Sequence, residues 1–151
     1  ATMPLKIHLK KGQKILINGA VIECTSPHNV SLLVKNDAAI LRDTDILSPE
    51  DAVTPASRVY YALQCLYIFP DEFESNLLRF NELLENYTKA APSAEPITSK
   101  INQLVENREL YKALKSAPEL IKHESKVFSY EQERLSKELR DAAAAGEPEG
   151  N

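Results

Sequence analysis

Glycine is scarce, with four in 151 residues. A phosphate-cradling loop needs several glycines whose backbone can approach the anion, so the usual pattern cannot be built here. Histidine is scarcer still, at three. His8, His28 and His123 lie far apart, and no two stand at i, i+4, which excludes the zinc-helix arrangement. The two cysteines, Cys24 and Cys65, fit no metal-ligand spacing. Both have apolar neighbours and read as buried free thiols in a reducing cytosol. No Ser, Cys or His sits in a nucleophile signature. Carboxylates are plentiful but spread along helical surfaces, where a solvated face is their ordinary role. Neither an enzyme, nor a metal site, nor a cofactor is expected. No apolar run reaches the length of a membrane span, and Met3-Pro4 leads straight into alternating residues rather than a signal peptide. A cytoplasmic location is therefore expected. No internal repeat is found.

The apolar share of 43% is enough for a packed core. Its distribution divides the chain into a β module over 3–47, a helical region over 48–140 and a disordered tail over 141–151. The predicted class is α+β: a small antiparallel module of about five strands, then a hairpin or bundle of three to four helices. Leu5-Lys6-Ile7-His8-Leu9-Lys10 alternates apolar with cationic or imidazole residues. A strand sends such residues to opposite faces, one oily and one basic. Lys11-Gly12 marks a turn, Lys14-Ile15-Leu16-Ile17 a second strand, and Asn18-Gly19 a type I′ hairpin signal. Ala20–Cys24, Val30–Val34 and Ala38–Arg42 read as three further strands. Together they make a meander or small open barrel that must pack against helices or another copy.

Thr54-Pro55 is a helix start, with Thr as N-cap and Pro at N1. Phe69-Pro70 stops that helix. Phe73, Leu77, Phe80, Leu84 and Tyr87 then repeat at steps of four, three, four and three, a seam that predicts a packed bundle face. Ile97, Ile101, Leu104, Tyr111 and Leu114 continue the period in a third helix, with Arg108 replacing one seam residue as at a helix end. Ser116-Ala117-Pro118 is expected to break the chain. A fourth helix runs from Glu119 through Leu120, Ile121, Val127, Phe128, Leu135 and Leu139. Beyond Arg140 nothing remains to bury, and fraying is expected.

Charge is uneven. Residues 3–47 carry Lys6, Lys10, Lys11, Lys14, Lys35 and Arg42 against Glu23, Asp37, Asp43 and Asp45, so this half is basic within a chain of net charge −4. Asymmetry of this kind points to different partners for the two halves. Lys6, His8 and Lys10 form a cationic stripe on one strand face, with Lys11 and Lys14 near the turn. Two explanations stand open: an edge strand protected by lysines, or a surface that contacts phosphates. Residues 3–47 contain no aromatic platform for stacking bases, so Lys, Arg, His and backbone groups would do the recognition. If the fifth strand returns beside the first, Arg42 joins the stripe.

The opening Met3-Pro4-Leu5-Lys6-Ile7, with Leu9-Lys10-Lys11-Gly12-Gln13-Lys14, Leu16-Ile17-Asn18-Gly19-Ala20-Val21, Ala39-Ile40-Leu41-Arg42-Asp43, Thr54-Pro55-Ala56 and Tyr60-Tyr61, resembles the FlbT family of bacterial flagellar regulators. That resemblance implies a post-transcriptional repressor that associates with the 5′ untranslated region of a flagellin mRNA and promotes its decay. It brings no catalytic residues. Gly12–Ile17 and Leu41–Ile46 are also similar to the first turn and last strand of the CsrA family of small β-stranded RNA regulators. In that family the first strand and an Arg at the end of the last strand touch RNA, and Arg42 matches that Arg. His8, Lys10 and Lys11 stand where Thr and two Arg occur there; Lys keeps the charge without the flat guanidinium fork. The expected RNA-binding residues are Lys6, His8, Lys10, Lys11, Lys14 and Arg42, and the expected partner is a flagellin mRNA leader. The alternative is an adaptor or export chaperone that binds flagellin or another flagellar regulatory protein through its helices. Homo-oligomerisation is compatible with both, and no membrane partner is expected.

Overall fold

The alternation of Leu5–Leu9 and the Asn18-Gly19 turn both appear in the backbone as read. The computed structural model of the chain describes residues 4–146. Five strands come first: β1 (Leu5–Leu9), β2 (Lys14–Ile17), β3 (Ala20–Glu23), β4 (Val30–Val34) and β5 (Ile40–Arg42). Asn18 and Gly19 have φ of 51° and 84°, the positive values a type I′ turn needs. They join β2 to β3, whose pairing runs from Lys14 opposite Glu23 to Ile17 opposite Ala20.

The pairing differs from a meander. β1 pairs with β4 in a two-stranded sheet, while β2 sits between β3 and β5 in a three-stranded one, all antiparallel. Lys11-Gly12 is therefore a corner between sheets and not a hairpin. Gln13 N–H closes that corner on the Lys10 carbonyl at 3.0 Å, and Gly12 takes φ of 83°. The reason lies in β2. Ile15, Leu16 and Ile17 are apolar without interruption, so both faces of the strand need cover. On one face Ile15, Ile17 and Ile40 meet Ile7, Leu9, Leu32 and Val34 of the β1–β4 sheet. On the other, Leu16 and Leu41 enter the helical core. The three-stranded sheet is thus the middle of three layers.

The helices are α1 (Pro55–Ile68), α2 (Phe73–Ala90), α3 (Glu95–Glu106) and α4 (Leu110–Gly146), linked by short 3-10 turns. α1 is the hub. Thr54 and Ser57 form a reciprocal capping box at its start, and Glu124 of α4 accepts from the Ala56 N–H at 2.9 Å. Val59, Leu63 and Leu66 are wholly buried against α2 and α4. Of the seam on α2, Phe80, Leu84 and Tyr87 are buried, and Phe73 and Leu77 pack beside them. The seam is core.

The expected break at Ser116-Ala117-Pro118 does not occur. Pro118 lies inside α4. A proline there removes the bond to the Leu114 carbonyl and costs about 3 kcal/mol. Burial of Ala113, Leu114, Ala117 and Leu120 on either side of it offsets that cost. The true break comes earlier. Asn107 ends α3, and Arg108 takes a left-handed φ of 62°. Glu109 N–H reaches the Leu104 carbonyl at 2.8 Å and Arg108 N–H the Val105 carbonyl at 3.0 Å, which is a Schellman closure. The guanidinium of Arg108 sits 4.4 Å from the Phe73 ring centre, a contact that compensates a non-glycine residue in this conformation. The tail expectation divides: 141–146 are helical and exposed, and 147–151 lie outside the described residues.

Candidate nucleic-acid interface

β1 delivers the stripe by simple alternation. Ile7 and Leu9 are buried, while Lys6, His8 and Lys10 are exposed on the other side. Register places Lys6 opposite Leu33 and His8 opposite Ser31. The His8 Nδ1 and Ser31 Oγ lie 3.0 Å apart, which orients the imidazole across the outer face. Among the described residues no helix covers this side: Ser31 is exposed, and Leu33 is 55% exposed. Lys10 begins the corner, its N–H donating to Gln13 Oε1 at 2.8 Å, and exposed Lys11 follows within it. Lys6, His8 and Lys10 thus share one side of the molecule, and exposed Lys11 follows them in the corner.

Lys14 and Arg42 do not join them. Lys14 belongs to the second sheet and faces Glu23 at 3.9 Å, a solvent-exposed pair worth little. β5 returns beside β2, not β1, with Arg42 opposite Ile15. Arg42 shares a face with Ile40 and lies at the rim of the joint between sheets and helices. There it lines a recess of about 380 Å³ with Leu5, Ala38, Ile40, Tyr67 and Tyr111. Leu5 and Lys6 point to opposite faces of β1, so this recess and the stripe lie on either side of one strand.

The joint itself is held by α1. Tyr67 Oη accepts from the Ile40 N–H and donates to the Ile40 carbonyl, both at 3.0 Å. Gln64 treats Leu47 in the same way, accepting its N–H at 2.8 Å and donating to its carbonyl at 2.9 Å. Tyr60 Oη donates to the Asp45 carbonyl. Residues 60, 64 and 67 share one helix face, so α1 satisfies backbone groups that a further strand would otherwise take. Burial pushes the Tyr67 and Tyr60 phenols above their ordinary pKa, which keeps them neutral donors. Tyr111 packs on Tyr67 with ring centres 5.6 Å apart. Lys115 sits 5.7 Å from the Tyr111 ring centre and binds Asp45 at 2.9 Å, a hydrogen bond that holds its ammonium above the ordinary lysine pKa.

Sequence reasoning missed Tyr67, Gln64 and Lys115 as parts of this joint, and took Tyr111 for a core residue. The available signal was chemical: Tyr carries a polar tip, and a tyrosine on an apolar seam often sits where the core meets water. Among the described residues, no cluster of three or more His, Cys, Asp or Glu could hold a metal ion, and no helix is long and apolar enough to cross a membrane.

The described residues form a small two-sheet β module with an exposed basic face, packed against four helices. The family model described as "Flagellar protein FlbT" matches residues 5–128, and the chain belongs to that family. It is 41% identical over 125 residues to the probable flagellum biosynthesis repressor protein FlbT 1 of Bradyrhizobium diazoefficiens, covering 83% of this chain and 85% of that one. It is 33% identical over 152 residues to the flagellum biosynthesis repressor protein FlbT of Caulobacter vibrioides, covering 96% and 99%. A probable repressor of the same name from Brucella anthropi is 30% identical, covering 84% of each chain. No solved structure matches.

Proposed function

We propose that this chain is a cytoplasmic post-transcriptional repressor of flagellin synthesis, which binds the 5′ untranslated region of a flagellin mRNA through its β module and promotes decay of that message. The repressor names of its relatives support the regulatory half of this reading. The observation that carries the RNA half is the outer face of β1–β4. It presents Lys6, His8 and Lys10 beside Ser31 and Leu33 with no carboxylate among them, in a chain whose helical half is acidic. Edge protection places charge on the edge strand itself; it does not require the outer face of the neighbouring strand, with Leu33 more than half exposed, to stay uncovered.

Titration of a flagellin leader RNA and a scrambled RNA at two salt concentrations tests it. Lys10→Ala and Lys11→Ala should weaken both RNAs alike and lower the salt slope by about 0.7–1 unit each. Arg42→Ala should instead cost discrimination, by about 1–3 kcal/mol if the guanidinium reads a base edge. Unchanged affinity in all three variants leaves the stripe as edge protection and removes the RNA reading.

One observation favours a second reading, an adaptor for flagellin or another flagellar protein. The α2 seam is not free, but α4 is solvent-facing beyond Glu124. It presents Phe128, Leu135 and Leu139 at heptad spacing, each more than half exposed. Leu47, Pro55, Ile121 and Phe128 frame a groove of about 660 Å³ at its base. Phe128→Ser with Leu135→Ser should abolish capture of purified flagellin while leaving thermal stability nearly unchanged, because exposed side chains contribute little to folding. Undiminished capture by that double variant rules α4 out.

A further inference from the structure

The β module has no aromatic residue of its own, yet the fold supplies one. α4 carries Tyr111 to the mouth of the recess that Arg42 lines. The residue is 46% exposed and lies outside the buried core. The ring is nevertheless held. Tyr67, fixed by both polar groups of Ile40, backs it at an interplanar angle of 47°. Lys115, tethered to Asp45, stands over it. Leu5, Ala38 and Ile40 make the floor apolar. The volume of about 380 Å³ falls within the small-ligand range. Among the described residues, no carboxylate pairs with Arg42. A preorganised, half-exposed aromatic face beside an unpaired guanidinium has the composition of a stacking site for a planar heterocycle.

We propose that the recess between β1, β5 and α4 takes one unpaired base of a single-stranded RNA, stacked on Tyr111 and bound at its edge by Arg42. This rests on the RNA-binding reading of the β1 stripe and adds to it. β1 is about 17 Å long, and among the described residues it pairs with β4 alone. A strand whose phosphates lie along Lys10, His8 and Lys6 reaches Leu5 after a few nucleotides. There it can turn past the strand edge and place a base against Tyr111. The arrangement favours single strands, because a paired base must first give up its pair and its stack to reach Tyr111. Arg42 and the stripe then have separate tasks: the lysines set general affinity, and the recess reads one position.

The test uses the full chain and a single-stranded flagellin leader RNA bearing 2-aminopurine at successive positions, with a duplex of the same length as control. Tyr111→Leu should bind about 5- to 100-fold more weakly, equivalent to about 1–3 kcal/mol at 1.4 kcal/mol per tenfold. The salt slope should not change, since no phosphate contact is lost. Tyr111→Phe keeps the ring and should bind like the unmodified protein. One 2-aminopurine position should be quenched by the unmodified protein and by Tyr111→Phe, but not by Tyr111→Leu. Ultraviolet crosslinking of the unmodified protein to 4-thiouridine RNA gives a reading that needs no variant; a crosslink on the peptide holding Tyr111 is expected. Equal RNA binding by Tyr111→Leu, or crosslinks confined to β1, overturns the stacking site and leaves the stripe standing. Absence of RNA binding by the unmodified protein overturns both.

Discussion

Phe80→Ala is expected to lower the free energy of unfolding by about 3–5 kcal/mol, a large part of the roughly 5–15 kcal/mol that holds a domain of this kind together. Phe80 has no exposed surface and lies where α2 meets α1 in the largest core cluster. Truncation removes the transfer free energy of a whole ring and leaves a cavity that surrounding helices close only in part. Leu78, on the same helix, is 74% exposed, and Leu78→Ala should change stability by less than about 0.5 kcal/mol. Urea denaturation of both variants separates a packed seam from a partner-binding one. A Phe80→Ala variant as stable as the Leu78→Ala control would mean that α2 is not seated against α1 as described.

Gln64→Leu should cost about 2–4 kcal/mol, although the two side chains are similar in size. Gln64 is 4% exposed and meets both polar groups of the Leu47 backbone. Leucine leaves that N–H and that carbonyl without partners in a half-buried place, at about 1–3 kcal/mol per group. The loss should appear locally as well. Amide exchange of Leu47 should accelerate well beyond the change in global stability, because the segment after β5 loses its attachment to α1. The Ile40 amide, held independently by Tyr67, should keep more of its protection. If the Leu47 amide exchanges at the unmodified rate, the clamp is not what fixes this segment. The same variant also reports on function: the β1 stripe lies away from α1, so RNA affinity at low salt should survive while discrimination by the Arg42 recess declines.

Most local elements were legible in the residues themselves. The alternation at 5–9, the apolar run at 15–17, Asn18-Gly19, the Thr54-Pro55 start and the Phe69-Pro70 stop each encode a backbone state within a few positions. The structure adopts all of them. So was the basic side of β1, because strand geometry fixes which side chains share a face without reference to any partner. The α2 seam was legible for the same reason: heptad-like repetition states that one side will be buried, and Phe80, Leu84 and Tyr87 are.

Partners are a different matter. Periodicity says that β2 has apolar faces but not which strands cover them, so the pairing of β1 with β4 and of β2 with β5 was settled only when both sheets and α1 closed on the same residues. Pro118 reads locally as a stop, yet buried neighbours on both sides carry the helix through it. Arg108 reads as a gap in a seam at a helix end, which it is; its left-handed turn depends on the two carbonyls that it and Glu109 reach and on the Phe73 ring beneath it. Arg42 and Tyr111 stand far apart in the chain and meet because α4 packs across α1 and the Tyr67 hydroxyl ties β5 to that helix. The sequence alone determined the local conformations and the basic face, since these depend on neighbours along the chain. The recess existed only once the layers were packed, since its walls come from two strands and two helices whose mutual placement is set by burial and by hydrogen bonds between distant residues.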